Sequence, residues 1–103
     1  MNKVAISILL LLSLTACDAV NTVKEGFDHS QAVANALEKS VGMKPFVGFN
    51  WNNGVLALVS VNFDGIPKDK PVAEIAELAQ VEIKKHFKQK PTQIMLGFSI
   101  KPK

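Results

Sequence analysis

Residues 45–63 read Pro-Phe-Val-Gly-Phe-Asn-Trp-Asn-Asn-Gly-Val-Leu-Ala-Leu-Val-Ser-Val-Asn-Phe, and this stretch decides the fold. Asn53-Gly54 sits near its middle, and both residue types accept the positive φ of a two-residue type I′ turn. Pro45 to Trp51 and Val55 to Phe63 are then the two strands of a hairpin. Pairing outward from the turn sets Asn52 against Val55, Asn50 against Ala57, Gly48 against Val59 and Phe46 against Val61. One face then carries Phe46, Gly48, Asn50, Ala57, Val59, Val61 and Phe63. The other carries Val47, Phe49, Trp51, Leu56, Leu58 and Ser60. Both faces are largely apolar, and a one-residue slip would exchange them.

Helices flank the hairpin. From Asp28 to Val41 the residues Val33, Leu37 and Val41 recur at four-residue steps beside Ala34, the stripe of an amphipathic helix. Asp28 and Gln31 match a capping box at its start, and Gly42 suits a left-handed stop. A second helix is expected from Pro71 to about Phe87, capped by Asp69 or Lys70, with Val72, Ile75, Ala76, Ala79, Ile83 and Phe87 on one stripe. Gln93 to Ile100 alternates as a third strand, with Ile94, Leu96, Phe98 and Ile100 on one side and Met95, Gly97 and Ser99 on the other. The order is α-β-β-α-β, which predicts an α+β two-layer sandwich with both helices on one face of a three-stranded antiparallel sheet, strand order 3-1-2.

Two helices cover one sheet face only. The β-branched and aromatic residues Phe46, Val59, Val61 and Phe63, with the Ile94 row, are expected beneath the helices. That choice leaves Phe49, Trp51, Leu56, Leu58 and Met95 exposed as a contiguous apolar patch, the mark of a partner-binding surface.

The opening of the chain gives location. Met1-Asn2-Lys3 is a short basic start, and Val4 to Leu14 is apolar apart from Ser7 and Ser13. About ten apolar residues are too few to span a hydrocarbon core, and they suit an export signal. Leu14-Thr15-Ala16-Cys17 resembles the lipobox of bacterial lipoproteins. The resemblance covers the leader alone. It implies cleavage before Cys17, diacylation of its thiol and frequent acylation, commonly palmitate, of the new amino group. Asp18 resembles the signal that retains such proteins in the inner membrane. The expected organisation is a signal peptide over 1–16, a lipidated Cys17 with a short tether over 17–26, and one small domain over 27–103. The expected location is the periplasmic side of the cell membrane, held there by acyl chains.

The residues offer little for catalysis. The chain of 103 residues has one Cys, taken up by the leader, and two histidines, His29 and His86, in no metal-ligand spacing. Ser30, Ser40, Ser60 and Ser99 lack a nucleophile-elbow frame, and no glycine run cradles a phosphate. No metal and no cofactor is expected. All twelve basic residues are lysine, concentrated at Lys84, Lys85, Lys88 and Lys90 with Lys101 and Lys103. Without arginine or aromatic reading groups that cluster does not suit nucleic acid; a solvated helix end accounts for it, and anionic lipid headgroups are the ligand it fits if it faces the bilayer. The expected activity is non-enzymatic binding of an envelope protein, or of a second copy, through the apolar sheet face. The alternatives are a binder of a small apolar or amphiphilic ligand, and a periplasmic inhibitor or immunity protein.

Overall fold

A computed structural model describes residues 24–103. The expected signal segment, Cys17 and Asp18 lie outside these residues. The described elements are helix α1 (24–41), strands β1 (Phe46–Asn52) and β2 (Val55–Asp64), helix α2 (Val72–His86) and strand β3 (Gln93–Ser99). This is the expected α+β sandwich in α-β-β-α-β order.

Helix α1 is already formed at residue 24, so Asp28 and His29 lie inside it and Asp28 does not cap its start. The folded unit therefore reaches back past residue 27 and takes in part of the expected tether. Gly26, Ser30, Val33, Leu37 and Val41 form its buried stripe. Gly26 is small for a reason: a Cβ there would lie 2.7 Å from a Phe49 ring carbon. Ser30 is buried and satisfies its hydroxyl on Phe27 O at 2.7 Å. Gly42, at φ +90°, ends the helix, its N–H donating to Glu38 O at 2.9 Å.

Asn53 and Gly54 have φ of 54° and 78°, the two positive values of the expected turn. Asn52 pairs with Val55 and Trp51 with Leu56, but Asn50 then pairs with Leu58, leaving Ala57 as the extra residue of a β-bulge. Beyond it the register is one residue away from strict pairing, with Gly48 opposite Ser60 and Phe46 opposite Asn62. The bulge lets Leu56, Val59, Val61 and Phe63 all enter the core although Leu56 and Val59 are three residues apart. It also turns Val47, Phe49 and Trp51 of β1 inward with them.

The sheet order is β1-β2-β3, with β1 and β2 antiparallel and β2 and β3 parallel. The sheet is thus mixed, and β3 adds beside β2 rather than beside β1. Helix α2 supplies the crossover that a parallel neighbour requires. The ten-residue β2, with the most continuous apolar row, takes the centre and places Val59, Val61 and Phe63 beside Ile94, Leu96 and Phe98. Helix α2 closes the other layer through Ile75, Ala79 and Ile83, with Phe87 just beyond its end. Pro71, rather than Asp69 or Lys70, is its N-cap residue, and the Pro71 carbonyl accepts from Glu74 and Ile75.

One side chain ties the α2–β3 connection to the hairpin. Gln89 Oε1 accepts from Leu56 N at 3.0 Å, and Gln89 Nε2 donates to Gly54 O at 3.1 Å. Gln89→Ala leaves the Leu56 amide without its acceptor, at an expected loss of about 1–2 kcal/mol. A urea unfolding curve checks this, and an unchanged midpoint would contradict the bridge.

Candidate functional site

The helices cover the Val59–Phe63 side of the sheet, as expected, but the partition of side chains differs from the one read in the sequence. Leu56 is fully buried, while Phe49 and Trp51 are half-buried and pack against the core. Phe49 meets Phe87 edge-on at 6.1 Å between centroids. These three residues are therefore not on an exposed patch. Only Leu58 and Met95 of the expected set lie on the open side. The bulge at Ala57 is the physical cause, because it reverses β1 relative to β2.

The open side is set by three cross-sheet rows: Phe46–Asn62–Gly97, Gly48–Ser60–Met95 and Asn50–Leu58–Gln93. Phe46 was expected under the helices and is instead 74% exposed; Met95 is 51% exposed. Ile100, expected in the covered row, falls beyond the end of β3 and is also exposed. Asn62 Nδ2 donates to Ser99 Oγ at 2.9 Å across β2 and β3. A Cβ on Gly97 would come within 2.8 Å of Asn62 Oδ1, and one on Gly48 within 2.9 Å of Ser60 Oγ. The two glycines thus keep a low floor between Phe46, Leu58 and Met95. This face mixes three apolar side chains with amides and hydroxyls.

A second concavity lies between the C-terminal half of α2 and the start of β3. Its volume is about 560 Å³, and Val81, Phe87, Pro91 and Ile94 line it together with Lys84, Lys88 and Lys90. Glu77 also lines it. Lys88 Nζ is 3.1 Å from Glu25 Oε2 of α1, an exposed pair worth little in stability.

The histidines take separate places. His29 packs against Phe87, with ring centroids 5.6 Å apart, and His86 Nε2 lies 3.3 Å from Glu82 Oε2 one helical turn away. Ser60 and Ser99 belong to the open face, Ser30 to the core and Ser40 Oγ to the α1 backbone at Leu37 O. Among the described residues, no three His, Cys, Asp or Glu side chains gather in a metal-holding group. No described helix is long and apolar enough to cross a membrane.

Sequence reasoning missed Phe46, Gly48, Asn50 and Asn62 on this face, and missed β2 as the neighbour of β3; it did place Ser60 with Leu58, and Gly97 and Ser99 with Met95. The available signal was polar rather than apolar: Ser60, Asn62 and Asp64 alternate with Val59, Val61 and Phe63, and Asn50 and Asn52 alternate with Phe49 and Trp51. Each strand read alone by its polar positions gives the observed outer face. No family model matches the chain, and neither a curated protein nor a solved structure matches it.

Proposed function

We propose that this chain is a non-enzymatic envelope lipoprotein, anchored through Cys17 and binding a protein partner on the open face of its sheet. The observation that carries the reading is the face itself. Phe46, Leu58 and Met95 stand around a floor of Gly48, Ser60 and Gly97, with Asn50, Asn62 and Gln93 alongside. A flat floor admits another protein's side chains, and the exposed ring and thioether are ready anchors. The mixed polarity favours a separable partner over a permanent dimer of this chain, since obligate interfaces are more apolar. The lipobox-like leader supports the anchored location, and the separate settings of His29 and His86 support binding over catalysis.

A photo-crosslinking residue at Ser60 of the full-length chain, in its native envelope, tests the reading against the same residue at Glu77 on α2. The expected result is a discrete adduct from Ser60 that disappears when Phe46→Ser and Met95→Ser are combined in a folded protein. Adducts from Glu77 alone would overturn it.

A further inference from the structure

We propose that the end of the domain where α1 begins lies against the bilayer, and that Lys84, Lys88 and Lys90 there engage anionic phospholipid headgroups. The inference rests on the anchored reading above and adds an orientation and a lipid class to it.

Four segments converge on this end: the start of α1, the Asn53-Gly54 turn, the close of α2 and the start of β3. The Lys88–Glu25 pair joins the α2–β3 connection to α1, and the two Gln89 hydrogen bonds join it to the turn. Seven residue steps separate Cys17 from Lys24, a reach of at most about 25 Å even when fully extended. Acyl chains on Cys17 thus hold this end, rather than the one carrying Gly42 and Gly65, near the lipid.

The charge at this end fits such a neighbour. Lys24, Lys84, Lys85, Lys88 and Lys90 lie toward this end, with Glu25, Asp28 and Glu82 among them and Glu77 lining the groove beside Lys84, Lys88 and Lys90. The opposite end carries lysines too, with Lys39, Lys44, Lys68, Lys70, Lys101 and Lys103 spread among Glu38, Asp64, Asp69 and Glu74, and Lys70 paired with Glu74 at 3.5 Å; the near end differs in that three of its lysines line one groove. A helix C-terminus favours basic residues, which accounts for Lys84 and Lys85 within the last turn of α2. It does not account for Lys88 and Lys90, which follow the helix and line the same groove as Lys84. Val81, Pro91 and Ile94 give that groove an apolar wall on which lysine stems can lie while their ammonium groups reach outward. Anionic surfaces attract such clusters within a Debye length.

Amine-reactive footprinting of the acylated full-length chain tests the orientation, with the protein inserted in vesicles of phosphatidylcholine with or without phosphatidylglycerol. Intact mass reports acylation, and peptide mass reports each lysine. The expected result is protection of Lys84, Lys88 and Lys90 by about fivefold or more in the anionic vesicles alone, on the scale of one headgroup contact per lysine. Lys39, Lys44 and Lys68 should label equally in both. Equal labelling of all lysines on an acylated, vesicle-bound chain would overturn the orientation and leave the anchor standing. Equal protection by inorganic phosphate in neutral vesicles would assign the groove to a free anion and also overturn it. A chain without acyl mass on Cys17 would overturn both readings.

Discussion

Phe63→Ala is expected to lower the unfolding free energy by about 3–5 kcal/mol, the range for truncating a buried aromatic. Phe63 is fully buried on the central strand, and its ring stacks on Phe98 with centroids 5.9 Å apart and planes 18° from parallel. The two residues are also register partners on β2 and β3. Removing one ring therefore empties space in the core and strips a face from the other. A small domain has a total stability on the order of 5–15 kcal/mol, so the variant should sit close to its unfolding midpoint. Urea unfolding of the full chain provides the measurement. A loss below about 1 kcal/mol would contradict a core centred on this pair.

Leu56→Asp and Leu58→Asp should behave oppositely, although the residues are separated only by Ala57. Leu56 has no exposed surface, and its backbone is held on both sides, by Gln89 Oε1 and by the Thr92 amide. A carboxylate there must either lose its hydration or break the core, at an expected cost of several kcal/mol, about enough to unfold the domain. Leu58 is half-buried on the open face beside Asn50 and Gln93. Asp at that position keeps access to water, and the expected loss is about 1 kcal/mol or less. Circular-dichroism melts of the two variants separate the cases. Strict pairing from the turn puts both leucines on one face and makes them equivalent, so matching melts would rule out the bulge.

That contrast also locates where the sequence was legible. Asn53-Gly54, the stripe of α1, the Gly42 stop and the apolar spacing of α2 are local features, set by φ preference and helical period. Each led to the element found in the structure. The α-β-β-α-β order followed from them. The faces of β1 depended on a single added residue, and nothing local to Ala57 announces a bulge. Its trace is longer in range: Leu56 and Val59, three apart, are both needed by the core. The neighbour of β3 was likewise a tertiary decision, made by which strand offered the longer apolar row. Of the expected surface residues, Leu58 and Met95 remain on the open face, while Phe49, Trp51 and Leu56 are drawn into the core by the register. The basic cluster was visible as composition. Its nearness to the start of α1 was not, because residues 25 and 88 meet only after folding.

Strand β3 has β2 on one side and no strand on the other among the described residues. Its free rim carries Gln93-Ile94-Met95-Leu96-Gly97-Phe98-Ser99, seven residues without a charge or a proline. Such a segment is a template for cross-β stacking with other copies, and the hazard is greatest while α2 has yet to fold over it. The flanks answer that hazard. Lys90-Pro91 precedes the segment and Lys101-Pro102-Lys103 follows it, so each end meets a charge and a residue unable to donate to a ladder. A newly made chain that has not yet folded meets its own copies with this strand uncovered. The bracketing lysines and prolines act at that moment as gatekeepers, keeping the last strand available for β2 until the domain has closed.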